Sequence, residues 1–146
     1  MVNWNERFVE LTKHISGWSK DKNTKTAALI ADDSNRIMSI GYNGFPSGCN
    51  DDVQERYERP AKYLYTEHAE RNAIYSAARN GVRLKDSTMY LMWFPCADCA
   101  RAIIQSGIIK LVCHEPDLNM PKWGEQFKAS LEMLTEAGIE IIYIKE

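Results

Sequence analysis

The chain has 146 residues, 45% of them hydrophobic and 26% charged, the proportions of one ordinary globular domain that can bury a core without disulfide staples. Its formal charge of −2 offers no broad cationic field, which weighs against DNA or RNA as the main partner. Residues 1–7 lack the basic and then apolar run of a secretory signal, and no apolar stretch approaches the roughly 18 residues of a membrane span; the expectation is a cytoplasmic protein without a membrane anchor.

Phe8, Leu11, His14, Ile15 and Trp18 recur at three- and four-residue steps. That spacing predicts a helix over 5–17 with this stripe on a core, His14 packed on or beside it, and Gly17 as the stop. The polar run 19–25 reads as a loop. Residues 26–31 and 36–42 read as strands of a hairpin turned by Asp32-Asp33-Ser34-Asn35. In 41–48, Gly41, Gly44, Gly48, Pro46 and Asn43 specify a particular backbone path and expose amide N–H groups. The mixed-charge stretch 49–65, broken by Pro60, reads as a surface segment whose Tyr57, Tyr63 and Tyr65 pack against something.

A second helix is predicted over 67–80, with Ala69, Ala73, Ile74, Ala77 and Ala78 inward and Gly81 past its end. A strand over 88–93 follows. Pro95 then opens a helix from a first-turn position, with Ala100, Ile103 and Ile104 as its core face. A strand over 108–113, a helix over 123–137 with Phe127, Leu131 and Leu134 inward, and a strand over 139–144 complete the chain. After the hairpin, single strands alternate with helices, which demands parallel crossovers. The predicted fold class is α/β, a sandwich around a mixed five-stranded sheet, in a single domain over 1–146.

The cysteines are Cys49, Cys96, Cys99 and Cys113. Without a secretory signal, Cys96-x-x-Cys99 reads as metal or redox chemistry before structural disulfide. A thioredoxin-like redox pair is the rival, but such a pair needs no upstream His-x-Glu, and His68-Ala69-Glu70 is one. Cys96 and Cys99 share a face at one helix start, while His68 and Glu70, at the first turn of another, can both reach an ion beyond it. The helix ends and Zn²⁺ together keep thiols ionised. His68, Cys96 and Cys99 are one ligand short of a closed tetrahedral site, the arrangement of a catalytic zinc that keeps a position for water. A closed structural site would recruit Cys49, Cys113, His14 or His114, and none has motif spacing to the triad. Zinc lowers the pKa of bound water to about 7, and Glu70 is the general acid/base placed to move the protons.

His-x-Glu followed by Pro-Cys-x-x-Cys is the pattern of zinc-dependent nucleobase deaminases, and the chain resembles the cytidine deaminase family, within it the deoxycytidylate (dCMP) deaminases most. The resemblance rests on Ser19-Lys20-Asp21, Gly41-Tyr42-Asn43-Gly44-x-Pro46-x-Gly48, His68-Ala69-Glu70-x-Asn72-Ala73-Ile74, Phe94-Pro95-Cys96-x-x-Cys99-Ala100 and Ile103-Ile104-Gln105-x-Gly107-Ile108. It implies a three-layer α/β/α sandwich and zinc ligation by His68, Cys96 and Cys99; the extra Cys/His ligands of members with a second zinc are not evident, so the expectation is one zinc per chain. It also implies proton shuttling by Glu70 in the hydrolysis of dCMP, a free nucleotide, to dUMP and ammonia. From the same resemblance come a hydrogen bond from Asn43 to the substrate sugar, a homo-oligomer, and dCTP and dTTP as effectors near Gly41, Tyr42, Asn43, Gly44, Pro46 and Gly48.

Two segments depart from the pattern: Thr26-Ala27-Ala28 stands where relatives have Val-Gly-Ala, and the stretch after Cys113 lacks their tyrosine-bearing segment. Both bear on which base and phosphate state fit. The alternatives are another aminated base, nucleoside or heterocycle on the same fold, or a nucleotide-sensing module without catalysis, against which the intact Glu70 argues. Lys22, Lys25, Arg56, Arg59 and Lys62 are candidate phosphate contacts, with solvated surface charge the favoured reading for each one singly.

Overall fold

Strand β1 (Ala27–Ala31) is buried along its whole length, as its unbroken apolar run requires of a strand covered on both faces. The structure, a computed structural model, describes residues 2–145. On one side β1 pairs antiparallel with β2 (Ile37–Tyr42), and on the other antiparallel with β3 (Thr88–Leu91). Strands β4 (Lys110–His114) and β5 (Glu140–Ile144) add in parallel, giving the five-stranded order β2-β1-β3-β4-β5. The hairpin turn is built by Asp32, whose Oδ1 accepts the N–H groups of Ser34 and Arg36.

Helix α1 (Trp4–Ser16) covers one face of the sheet, Phe8 and Val9 meeting Leu29, Ala31, Tyr90 and Val112. Helices α3 (Ala69–Arg79), α4 (Ala97–Gln105) and α5 (Gly124–Glu136) cover the other. Their Ala73, Ile103 and Leu134 share a core with Ala28, Ile30, Met89 and Leu111. Alternate residues of β1 thus face opposite layers, and the fold is the mixed-sheet three-layer sandwich. Leu29, Ile30, Met89, Leu91, Ile103, Leu111 and Leu134 are fully buried, each stabilising the fold by about 1.5–3 kcal/mol. No helix of the described residues is long and apolar enough to cross a membrane.

Several local expectations are corrected. The buried stripe of α1 is Phe8, Val9, Thr12, Ile15 and Ser16, while His14 and Trp18 are exposed and Leu11 is only half-buried. The rotation is possible because the Thr12 hydroxyl donates to the Val9 carbonyl at 2.6 Å and carries no unpaired polar group into the core. Ala78 of α3 is exposed. Strand β3 ends at Leu91, and Pro95 lies before the N-cap of α4, a position taken by Cys96. The stretch 49–65 is more ordered than its charge suggested: it holds a 3₁₀ turn (Gln54–Tyr57) and a short helix α2 (Lys62–Tyr65).

Candidate metal centre

Two helices begin at the same place. The parallel neighbours β3 and β4 set α3 and α4 side by side, so that His68, the N-cap of α3, faces Cys96, the N-cap of α4. His68 Nδ1 lies 3.5 Å from Cys96 Sγ and 3.4 Å from Cys99 Sγ. The three donor atoms fall within 4.8 Å of one another, the one such group among the described residues. Zn–S bonds of about 2.3 Å and a Zn–N bond of about 2.0 Å at tetrahedral angles separate S from N by about 3.5 Å. The donors fit zinc in kind and in spacing.

Their proton affinities point the same way. The Cys96 thiol is pulled down to about 4, first by the Cys99 thiol, against the opposing push of burial, and then by His68. Cys99 is pushed up, first by its hydrogen bond to Cys96 and then by burial. The pair gives up one proton easily and holds the second. A dication held by these donors would supply the charge that releases it. Glu70, in the first turn of α3, is 8% exposed, and burial pushes its carboxyl up against the pull of its own backbone N–H and of His68.

The backbone around this centre is stitched tightly. Gly41 of β2 packs on α3 so closely that a Cβ there would lie 2.4 Å from the Ala73 nitrogen. Gly44 and Glu67 form an isolated antiparallel bridge, with N–H donation at 3.2 Å and 2.8 Å. Asn72 donates to the Tyr42 carbonyl at 2.9 Å. In the same loop Phe45 stacks on Tyr57 at 4.5 Å, Cys49 N–H donates to the Pro46 carbonyl, and Gly48 has the positive φ of 89° that favours glycine.

Asn43 is buried, its Oδ1 accepting from Thr26 N–H at 3.0 Å and its Nδ2 donating to the Thr24 carbonyl at 2.8 Å. One lone pair and one N–H of the amide remain. Cys49 is exposed and Cys113 buried, its thiol pushed up to about 12 by burial. The His114 Nδ1 lies 3.3 Å from the Ile144 carbonyl. These residues and His14 stand outside the donor group.

A cavity of about 550 Å³ lies between the 19–25 loop and the 54–62 segment, and Lys22, Arg59 and Lys62 line it, whereas no metal-donor residue does. Of the other basic residues, Lys25 donates to the Ser19 carbonyl and Arg56 lies over the Tyr65 ring. Lys62 is paired with Asp21 at 2.7 Å, the two side chains 9% and 2% exposed.

The sequence assigns no role to four contributing residues, although Asp21 lies in a stretch that carries the resemblance. Asp21 pairs with Lys62 across the cavity wall. Glu67 and Arg71 form a contact of 2.6 Å whose i,i+4 spacing was a readable signal. Gln126 of α5 accepts the Ala97 N–H at 2.9 Å, holding the first turn of α4 from outside; nothing local marked it.

The model of the cytidine and deoxycytidylate deaminase zinc-binding region matches residues 2–115. An uncharacterised deaminase from Aliivibrio fischeri, encoded in the luxG 3′ region, is 39% identical over 142 residues, covering 97% of this chain and 93% of that one. The human deoxycytidylate deaminase is 40% identical over 117 residues, 76% of this chain and 64% of its own length. The crystal structure of the cyanophage S-TIM5 dCMP deaminase in complex with dCMP and dUMP superposes with a TM-score of 0.76 over 95% of each chain, at 22% identity. That likeness is one of fold.

Proposed function

Since the chain belongs to the zinc-binding cytidine and deoxycytidylate deaminase family, we propose that it is a deaminase hydrolysing dCMP to dUMP and ammonia. The observation that carries this reading is the convergence of His68 Nδ1, Cys96 Sγ and Cys99 Sγ, with a buried carboxylate two residues beyond the histidine. The deoxycytidylate deaminases among its relatives, the human enzyme included, support dCMP as the substrate.

His68, Cys96 and Cys99 hold one zinc, which when bound supplies a Lewis acid that makes water nucleophilic near neutral pH. Glu70 moves the protons: a carboxylate oxygen takes one from the attacking water, returns it to the ring nitrogen, and a second transfer releases the amine as ammonia. Burial raises its proton affinity, the direction a carrier working near neutral pH requires. The remaining N–H or lone pair of Asn43 is available to the substrate sugar.

The single domain over 1–146, a homo-oligomer and a dCTP/dTTP response through the Gly41–Gly48 loop belong to the same proposal. Leu64, 85% exposed beside Tyr63 on α2, supports a subunit contact. The bridge from Gly44 to Glu67 supports a loop able to act on the metal centre. Two ligand thiols that must stay reduced support a cytoplasmic location.

The test is a substrate panel: dCMP, deoxycytidine, cytosine and other aminated heterocycles, followed by absorbance and ammonia release. We expect dCMP to be the best substrate. Glu70→Gln is expected to lower kcat by about 10²–10⁴-fold at unchanged zinc content. Equal turnover of the nucleoside, or an active Glu70→Gln variant, would remove the corresponding assignment.

A further inference from the structure

One ion-pair chain ties the first metal donor to the other two, and none of its members is a donor. The Glu67 carboxylate accepts the backbone N–H of His68 at 3.2 Å. Arg71, one turn along α3, sets its Nε 2.6 Å from the same Glu67 oxygen. Its Nη1 reaches Asp98 Oδ2 at 3.5 Å, and Asp98 lies between Cys96 and Cys99 in the first turn of α4. Arg101 pairs with Asp98 from the next turn. Among the described residues the Arg71–Asp98 contact is the one ion pair between α3 and α4.

Arg71 and Glu67 are mostly buried, with side chains 21% and 25% exposed, so water screens them less than an open surface pair; Asp98, at the far end of the link, is 57% exposed. The Arg71 Nε–H is buried and not aligned on the glutamate oxygen, which makes the contact an ion pair and not a directed hydrogen bond. An arginine suits this task because its planar fork spans two carboxylates with one charge.

We propose that Arg71 is a positioning residue of the metal centre, a strut that fixes the start of α3 against the Cys96–Cys99 turn and so sets how firmly the zinc is held. The inference rests on the reading that His68, Cys96 and Cys99 bind zinc. It differs from the bland alternative, in which Glu67–Arg71 is a helix pair that adds to stability and nothing else. A strut acts on the loaded site through Asp98; a helix pair acts equally with and without metal.

The experiment uses the full zinc-loaded chain and its variants Arg71→Gln, Arg71→Lys, Asp98→Asn and the Arg71→Gln/Asp98→Asn double. Zinc release to the chromogenic chelator 4-(2-pyridylazo)resorcinol is followed by absorbance, beside thermal unfolding of loaded and zinc-free protein. Arg71→Gln is expected to release zinc about tenfold faster, the scale of a lost partner behind a ligand. Asp98→Asn should shift release in the same direction, Arg71→Lys should fall between, and the double should fall short of the sum of the singles, since the Arg71–Asp98 link is already broken in either. The unfolding temperature of the zinc-free protein should fall by less than that of the loaded protein, since the Glu67–Arg71 pair is lost in both and the strut only in the loaded one.

Parent-like release from Arg71→Gln, or faster release matched by an equal loss of zinc-free stability, overturns the proposal. Additive effects in the double variant overturn it too. If Arg71→Gln fails to fold, Arg71→Lys and Asp98→Asn carry the same comparison. A parent chain that takes up no zinc would instead overturn the metal reading beneath it.

Discussion

Gly41 lacks a side chain because the backbone of α3 occupies the space one would need. A Cβ would meet the Ala73 nitrogen at 2.4 Å and the Ala69 carbonyl at 2.6 Å, both fixed helix atoms. Gly41→Ala is expected to cost about 3 kcal/mol by overpacking, read as a lower urea midpoint, and to displace the first turn of α3 that carries Glu70. The glycine was visible in sequence, but the reason for it was not: it serves a helix that begins far along the chain. Asn43 makes a similar point, since its amide is spent first on the backbone of Thr24 and Thr26. Its sequence neighbours gave no hint of those partners.

The 19–25 loop and α2 are joined by one buried ion pair, Asp21–Lys62. Burial alone would raise the Asp21 carboxyl, but Lys62 and the N–H groups of Asn23 and Thr24 outweigh it and hold the group below the ordinary 3.8. A depressed carboxyl stabilises the fold above the unfolded value and loses that contribution as pH falls through the folded one. Stability from this pair is therefore full above about pH 4 and fades under stronger acid. Lys62→Met leaves the Asp21 charge buried without its partner and is expected to cost about 3–5 kcal/mol at pH 7. That deficit should shrink as acid protonates Asp21, a trend that urea titrations at pH 7, 5 and 3 can follow. The pair also explains why 49–65 read from sequence as plain surface: Lys62 is buried only because Asp21, on a distant loop, meets it. By contrast, the starts of α3 and α4 were legible because the metal donors that mark them, His68 and Cys96, sit at the helix starts themselves.

Both layers of the sheet are filled by apolar residues that owe nothing to a metal; of the three donors, only Cys99 is fully buried. Chelator-stripped protein is therefore expected to keep its far-UV circular dichroism and a cooperative transition. Its Tm should fall by roughly 10 °C, the scale set by ligand linkage at free zinc well above Kd; loss of all secondary structure on stripping would contradict this. The alternation of strands and helices made the five-stranded sheet readable, because parallel crossovers leave few other arrangements. The face of α1 that turns inward carries two hydroxyls, Thr12 and Ser16, each donating to a carbonyl three residues back, a detail below the resolution of hydrophobic spacing.

The Gly44–Glu67 bridge is two hydrogen bonds with no ladder on either side. In native-state hydrogen exchange the Gly44 and Glu67 amides are expected to open together, far sooner than those of β1, because no adjoining rung must break. The tether between the glycine-rich loop and the residue before His68 is thus a local clasp, able to unfasten while the sheet stays shut.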